Sequence, residues 1–155
     1  MNTNIKIDGF KIISRNLSTV FQYVANLEND QFWRKEINST SMNAKPQINT
    51  LAVEDSFLSK KVPHHILNLI CTEYIEENKI IYQTVPDSPF FLKSIRIVEA
   101  ISEQETKFLY HIEFDKNIVK HGLGFMLPAF IIRYVAKQDM KKYLNKLKTI
   151  LETPH

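Results

Sequence analysis

The stretch Leu17 to Trp33, LSTVFQYVANLENDQFW, constrains the fold of this chain more than any other. Leu17, Val20, Phe21, Val24 and Leu27 recur at helical spacing, and Asn16 or Ser18 is placed to cap the helix they form. Asn26 to Asp30 is rich in turn formers, and a second short helix through Phe32 ends on the only tryptophan, Trp33. A strand-like opening, Ile5 to Ile13, comes first, and Gly9 interrupts it in the manner of a bulge. A long helix starting near Met126 closes the chain. Strand, two small helices, a run of strands and a long last helix describe a sheet wrapped around a helix, with a cavity between them.

Beyond the small helices the period changes. Segments 37–43, 52–62, 64–76, 79–85, 91–101 and 106–115 read as strands. Turn formers separate them at Lys45-Pro46, Glu76 to Asn78, Pro86 to Pro89 and Ser102 to Glu105, and short turns favour an antiparallel meander. Thr106 to Asp115 carries Phe108, Tyr110, Ile112 and Phe114 on one face and Lys107, Leu109, His111 and Glu113 on the other, so the aromatic face is the buried one. A two-residue turn at Glu103-Gln104 pairs Ile97 with Tyr110 and Ile95 with Ile112, and leaves Arg96 outside, opposite His111. A one-residue slip would bring Arg96 inside, so the register that matches apolar to apolar is expected. A turn at Glu77-Asn78 sets Tyr82 opposite Glu73, without showing which face is concave.

The closing helix has two of the three glycines just ahead of it, in His121-Gly122-Leu123-Gly124-Phe125, followed by Pro128. Ile132, Ala136, Met140, Leu144, Leu147 and Leu151 form one apolar stripe along it. Ala129 and Ala136 are small and leave room between helix and sheet, whereas Met140 onward should pack solidly. The 121–130 segment is a candidate gate, with glycines for mobility and Phe125, Met126 and Phe130 as bulky apolar groups.

Composition narrows the function classes. A chain of 155 residues that is 44% apolar and 24% charged suits one globular domain, residues 1–155. No apolar run reaches the roughly 20 residues that span a bilayer. The N-terminus lacks a secretory pattern and Cys71 is alone, so no disulfide or cysteine-based zinc site is expected and a cytoplasmic setting is. Residues 1–116 carry 13 basic and 15 acidic side chains, whereas residues 117–155 carry 7 basic and 2 acidic. The excess lies on the last helix, where Lys141, Lys142, Lys146 and Lys148 make either a solvated face or one that meets anionic lipid or an acidic partner. No recognition motif for nucleic acid accompanies it.

Chemical constellations are few. His64 and His65 point to opposite faces of a strand and cannot share a metal ion. His111 and Glu113 share a face that could support proton transfer, but it is the face opposite the aromatic stripe. There is no nucleophile elbow and no phosphate-cradling glycine loop, and neither a catalytic residue, a metal nor a cofactor is assigned. Tyr82, Tyr110 and Tyr134 could orient a ligand carbonyl or satisfy their hydroxyls on nearby backbone.

With these residues in view, the chain resembles the SRPBCC (START/Bet v 1-like) superfamily, and within it the polyketide cyclase/dehydrase and lipid-transport group. The resemblance is carried by Ser18 to Asn26 ahead of Trp33, by the strand Lys107 to Phe114 and by the ending Leu144 to Glu152. The glycines common in early strands of that group are missing from Asn43 to Ser56. The resemblance implies an α+β helix-grip fold, a bent antiparallel sheet of about seven strands around the C-terminal helix, with an apolar pocket between. It places Trp33 near the cavity rim, where packing is the expected role. The implied function is binding of a hydrophobic or amphipathic small molecule, with Trp33, Tyr82, Tyr110, Ile112, Phe125, Met126, Ala129, Phe130 and Tyr134 expected around the cavity. Two alternatives stand beside it: a cyclase/dehydratase-type enzyme moving protons with Tyr, His or Glu, and a membrane- or partner-binding protein acting through the basic helix.

Overall fold

In a computed structural model that describes residues 4–154, β1 (Asn4–Ile13) leads into α1 (Leu17–Ala25), a single 3₁₀ turn (Leu27–Asn29) and α2 (Asp30–Trp33). Six strands follow: β2 (Ile37–Met42), β3 (Leu51–Ser56), β4 (His65–Ile75), β5 (Lys79–Thr84), β6 (Leu92–Ser102) and β7 (Glu105–Asp115). The chain ends with α3 (Asn117–Leu123) and α4 (Ala129–Glu152). The strands form one antiparallel sheet in the order β1-β7-β6-β5-β4-β3-β2, so β1 closes against the last strand. This is the α+β helix-grip arrangement, a curled sheet of seven strands holding α4. No helix among the described residues is long and apolar enough to cross a membrane.

Local chemistry explains the small helices. Asn16 caps α1 by accepting a 2.9 Å hydrogen bond from the Thr19 amide, and Asn26 ends it while capping the next turn through the Glu28 amide at 3.0 Å. Val20, Phe21, Val24 and Ala25 form the buried side of α1. In α4 the buried residues are Ile132, Met140, Leu144, Leu147 and Leu151, the stripe its sequence spacing predicts, with Ala136 half-buried among them.

Four expectations are corrected. The closing helix begins at Ala129 rather than near Met126, and a separate helix, α3, precedes it. Gly124, with φ of 85°, ends α3 in the left-handed conformation, and Pro128 then caps α4. The strand expected over 52–62 stops at Ser56; the segment after it folds onto α3, where the Ser59 hydroxyl donates to the Gly122 carbonyl at 2.5 Å. Gly9 is not a bulge, because β1 pairs with β7 without a break from Asn4–Asp115 to Ile13–Thr106. It instead permits a close approach: a Cβ there would lie 3.0 Å from Met140 Sδ and 3.1 Å from Leu144 Cδ1.

The fourth correction concerns register. The Glu103-Gln104 turn is present, with Ser102 opposite Glu105, but a bulge between Ala100 and Ser102 shifts everything beyond it by one residue. Arg96 therefore faces Tyr110, Ile95 faces His111 and Ile97 faces Leu109, and Arg96 lies on the inner side with 1% exposure. A three-residue turn at Glu76 to Asn78 and a second irregularity, between Cys71 and Glu73, together set Tyr82 opposite Cys71 rather than Glu73, and on the buried side.

Candidate functional site

The inner face of the sheet and α4 do not pack solidly along their whole length. A cavity of about 250 Å³ lies between them, with Ile7, Leu67, Leu92, Ile112 and Met140 in its apolar walls. A neighbouring lobe of about 290 Å³ is walled by Leu123, Leu127, Ile132 and Val135. Leu58, Phe114, Ile118, Ala136 and Asp139 border both lobes, so the two adjoin under the first half of α4. The small side chain at Ala136 sits at this junction, where the sequence expected room.

Polar groups also line the first lobe. Arg34 follows α2, Glu36 precedes β2, Glu54 and Ser56 come from β3, His65 from β4, and Asp139 and Tyr143 from α4. Arg34 is the hub. Its Nη1 donates to Asp30 at 3.0 Å and to Glu54 at 3.4 Å, while Nε and Nη2 donate to Glu36 Oε1 at 3.2 and 2.9 Å. Asp30, behind the cavity wall, is shared with Arg96 at 2.8 and 2.6 Å.

This placement shifts the titrating groups. Burial opposes the charge on Arg34, but Tyr110, Glu36, Glu54 and Asp30 outweigh it and hold the guanidinium firmly protonated. Burial pushes the Glu54 carboxyl up, against the pull of Arg34. Burial and then the adjacent Glu36 carboxylate raise the Tyr143 hydroxyl. Burial and the neighbouring His121 lower His65. Glu36 Oε2 and His65 Nε2 are buried with no hydrogen-bond partner, so the cavity wall keeps unfilled polar positions.

Of the residues expected around the cavity, Tyr110 and Ile112 line it. Trp33 does not: it is buried behind the wall, edge-on to Tyr110 and Phe108 at 5.4 and 6.3 Å. Tyr82 is also away from it, its hydroxyl donating to the Ala25 carbonyl at 2.7 Å. Phe125 and Met126 are exposed beyond α3, and Ala129, the first residue of α4, borders neither lobe. Phe130 and Tyr134 are 71% and 66% exposed because the inward stripe of α4 runs through Ile132, Ala136 and Met140 on another side.

His111 and Glu113 lie on the outer face of the sheet, with His111 Nδ1 3.7 Å from the Asp8 carboxylate, so this pair does not reach the cavity. His64 and His65 do diverge: His64 is exposed beside Asp55 at 3.0 Å, while His65 turns inward. Lys141, Lys142 and Lys146 are exposed, and Lys148 is tied to the Ile12 carbonyl and to Glu152.

The sequence reading missed Arg34, Glu36, Glu54, Asp139 and Tyr143. The available signal was Glu54, an acidic residue that shares a strand face with Ala52 and Ser56 and is therefore placed where they are buried.

No protein-family model matches the sequence, and no curated protein matches it. Solved structures do resemble it. A START superfamily protein from Mycobacterium smegmatis superposes with a TM-score of 0.73 at 11% identity, over 95% of this chain and 97% of its own. The Zhui aromatase/cyclase from Streptomyces sp. R1128 gives 0.74 at 10% identity, over 96% and 94%. A conserved protein of unknown function from Enterococcus faecalis gives 0.63 at 17% identity, over 99% of this chain and 75% of that one. Identities this low speak to fold alone, and the fold of this chain is the helix-grip, START/Bet v 1-like fold that START superfamily proteins and polyketide aromatase/cyclases also have.

Proposed function

We propose that this protein binds an amphipathic small molecule in the two-lobed cavity beneath α4. The observation that carries the reading is the cavity itself: two adjoining, mostly apolar lobes between sheet and helix, with the Arg34, Glu36 and Glu54 cluster in the wall of the first. Removing apolar ligand surface from water stabilises such a complex by about 25 cal/mol per Å², before the costs of immobilising the ligand. The apolar walls would take the body of the ligand, and the Arg34–Glu36–Tyr143 cluster would orient its polar group. The likeness to a START superfamily protein and to an aromatase/cyclase supports the same reading, since this arrangement leaves space between sheet and helix.

Native mass spectrometry of the full chain purified from cells tests it. A small hydrophobic molecule should travel with the protein, or a simple amphiphile such as 1-octanol should shift the NMR signals of Ile112 and Met140. Protein that is ligand-free and unmoved by added amphiphile would show that the cavity is only a packing defect.

A further inference from the structure

The charge census of the cavity is lopsided. Across both lobes the walls contribute one guanidinium, Arg34, against three carboxyl groups, Glu36, Glu54 and Asp139. Four of the five N–H groups of that guanidinium are already used, with Asp30, Glu36 and Glu54 all within 3.4 Å. An incoming carboxylate would find one Nη2 N–H left to it, beside three carboxyl groups that already balance the guanidinium charge.

The positions left open have the opposite character. Glu36 Oε2 is an acceptor without a donor. Asp139 borders both lobes, and among the described residues its only ion pair is a 3.6 Å contact with exposed Lys35. His65 is 8% exposed and borders the first lobe, and its Nε2, a donor or an acceptor according to the tautomer, has no partner. The Ser56 hydroxyl, which could have served a ligand acceptor, donates instead to the His65 carbonyl at 3.3 Å. The carboxylate oxygens of Glu36 and Asp139 thus ask for N–H or O–H groups from an occupant.

We propose that the ligand of this cavity bears a hydrogen-bond-donating head, an amine or an alcohol, on an apolar body, and that the site rejects carboxylate heads. The proposal rests on the binding reading above and narrows its ligand class. It selects against fatty acids, which the apolar walls alone would accept.

Four probes of matched length separate the cases: octylamine, 1-octanol, methyl octyl ether and octanoate, each titrated into the full chain at pH 7.5 by calorimetry or NMR. Octylamine or 1-octanol, or both, should bind at least tenfold more tightly than octanoate and than the acceptor-only ether, and their ratio identifies which donor the site prefers. Asp139→Asn, which leaves the Arg34 network untouched, should weaken octylamine and strengthen octanoate severalfold. Octanoate binding within threefold of the better donor probe would overturn the proposal, as would ether binding that equals the alcohol; in both cases the cavity would remain a binding site. Failure of all four to bind would overturn the binding reading along with the proposal.

Discussion

The Arg96 guanidinium holds the Asp30 carboxylate through hydrogen bonds of 2.8 and 2.6 Å, with neither side chain exposed to solvent. Arg96 stands on β6 and Asp30 opens α2, and the same guanidinium donates to the Val24 carbonyl of α1 at 2.8 Å. Trp33 and Tyr110 flank it, each ring centroid 5.3 Å from the guanidinium carbon. One side chain therefore fastens both small helices to the sheet. Asp30 also positions Arg34, so the polar cluster in the cavity wall is built on this pair.

Arg96→Ala should destabilise the fold by about 3–5 kcal/mol, because it leaves the buried Asp30 carboxylate with only its 3.0 Å contact to Arg34 and removes two helix anchors. Arg96→Lys should recover only part of this, since an ammonium cannot make the forked contact to Asp30 and also reach Val24. Urea denaturation checks both; a loss under about 1 kcal/mol for Arg96→Ala would mean that the pair contributes little.

Gly9→Val should cost about 1–3 kcal/mol by overpacking, because a Cβ at this site already stands 3.0 Å from Met140 Sδ and 3.1 Å from Leu144 Cδ1. The melting temperature should fall accordingly. An unchanged melt would show that α4 can ride higher on β1 without loss.

Filling the junction of the two lobes tests the cavity directly. Ala136→Phe should reduce binding of an eight-carbon alcohol at least tenfold, while stability changes by less than about 1.5 kcal/mol because the added ring enters existing space. Calorimetric titration and thermal melting together separate lost binding from lost fold.

His65 should make the fold acid-sensitive. Burial, and then His121 across a 5.5 Å ring separation, hold its pKa below the ordinary 6.5. As pH falls through about 6.5 the unfolded chain takes up this proton before the folded one, so stability present at neutral pH is lost on acidification. Glu54, whose pKa is raised by burial, works in the opposite sense at lower pH. The stability difference between wild type and His65→Gln should therefore shrink between pH 7.5 and 5.5, and a difference that is constant with pH would count against this account.

Much of the fold was legible because it is written in short-range periodicity. The 3.6-residue spacing of Val20, Phe21 and Val24, and of Ile132, Met140 and Leu147, gave the buried sides of α1 and α4. Alternation along Thr106 to Asp115 identified the inner face of β7, and with it Tyr110 and Ile112 at the cavity. Phe125, Met126, Phe130 and Tyr134 were misplaced because bulk and hydrophobicity suggest a pocket but do not set direction. Their exposure follows from where Gly124 ends α3 and Pro128 starts α4.

By itself, then, the sequence determined the order of elements apart from α3, the strand count and the buried stripe of the last helix. Each of these depends on residues a few positions apart. The tertiary structure decided the register of β6, the inward turn of Arg96 and the polar cluster in the cavity wall. Apolar matching argued for the other register, and a buried guanidinium is tolerable only with a partner. That partner is Asp30, 66 residues away, and only the folded chain brings the two together.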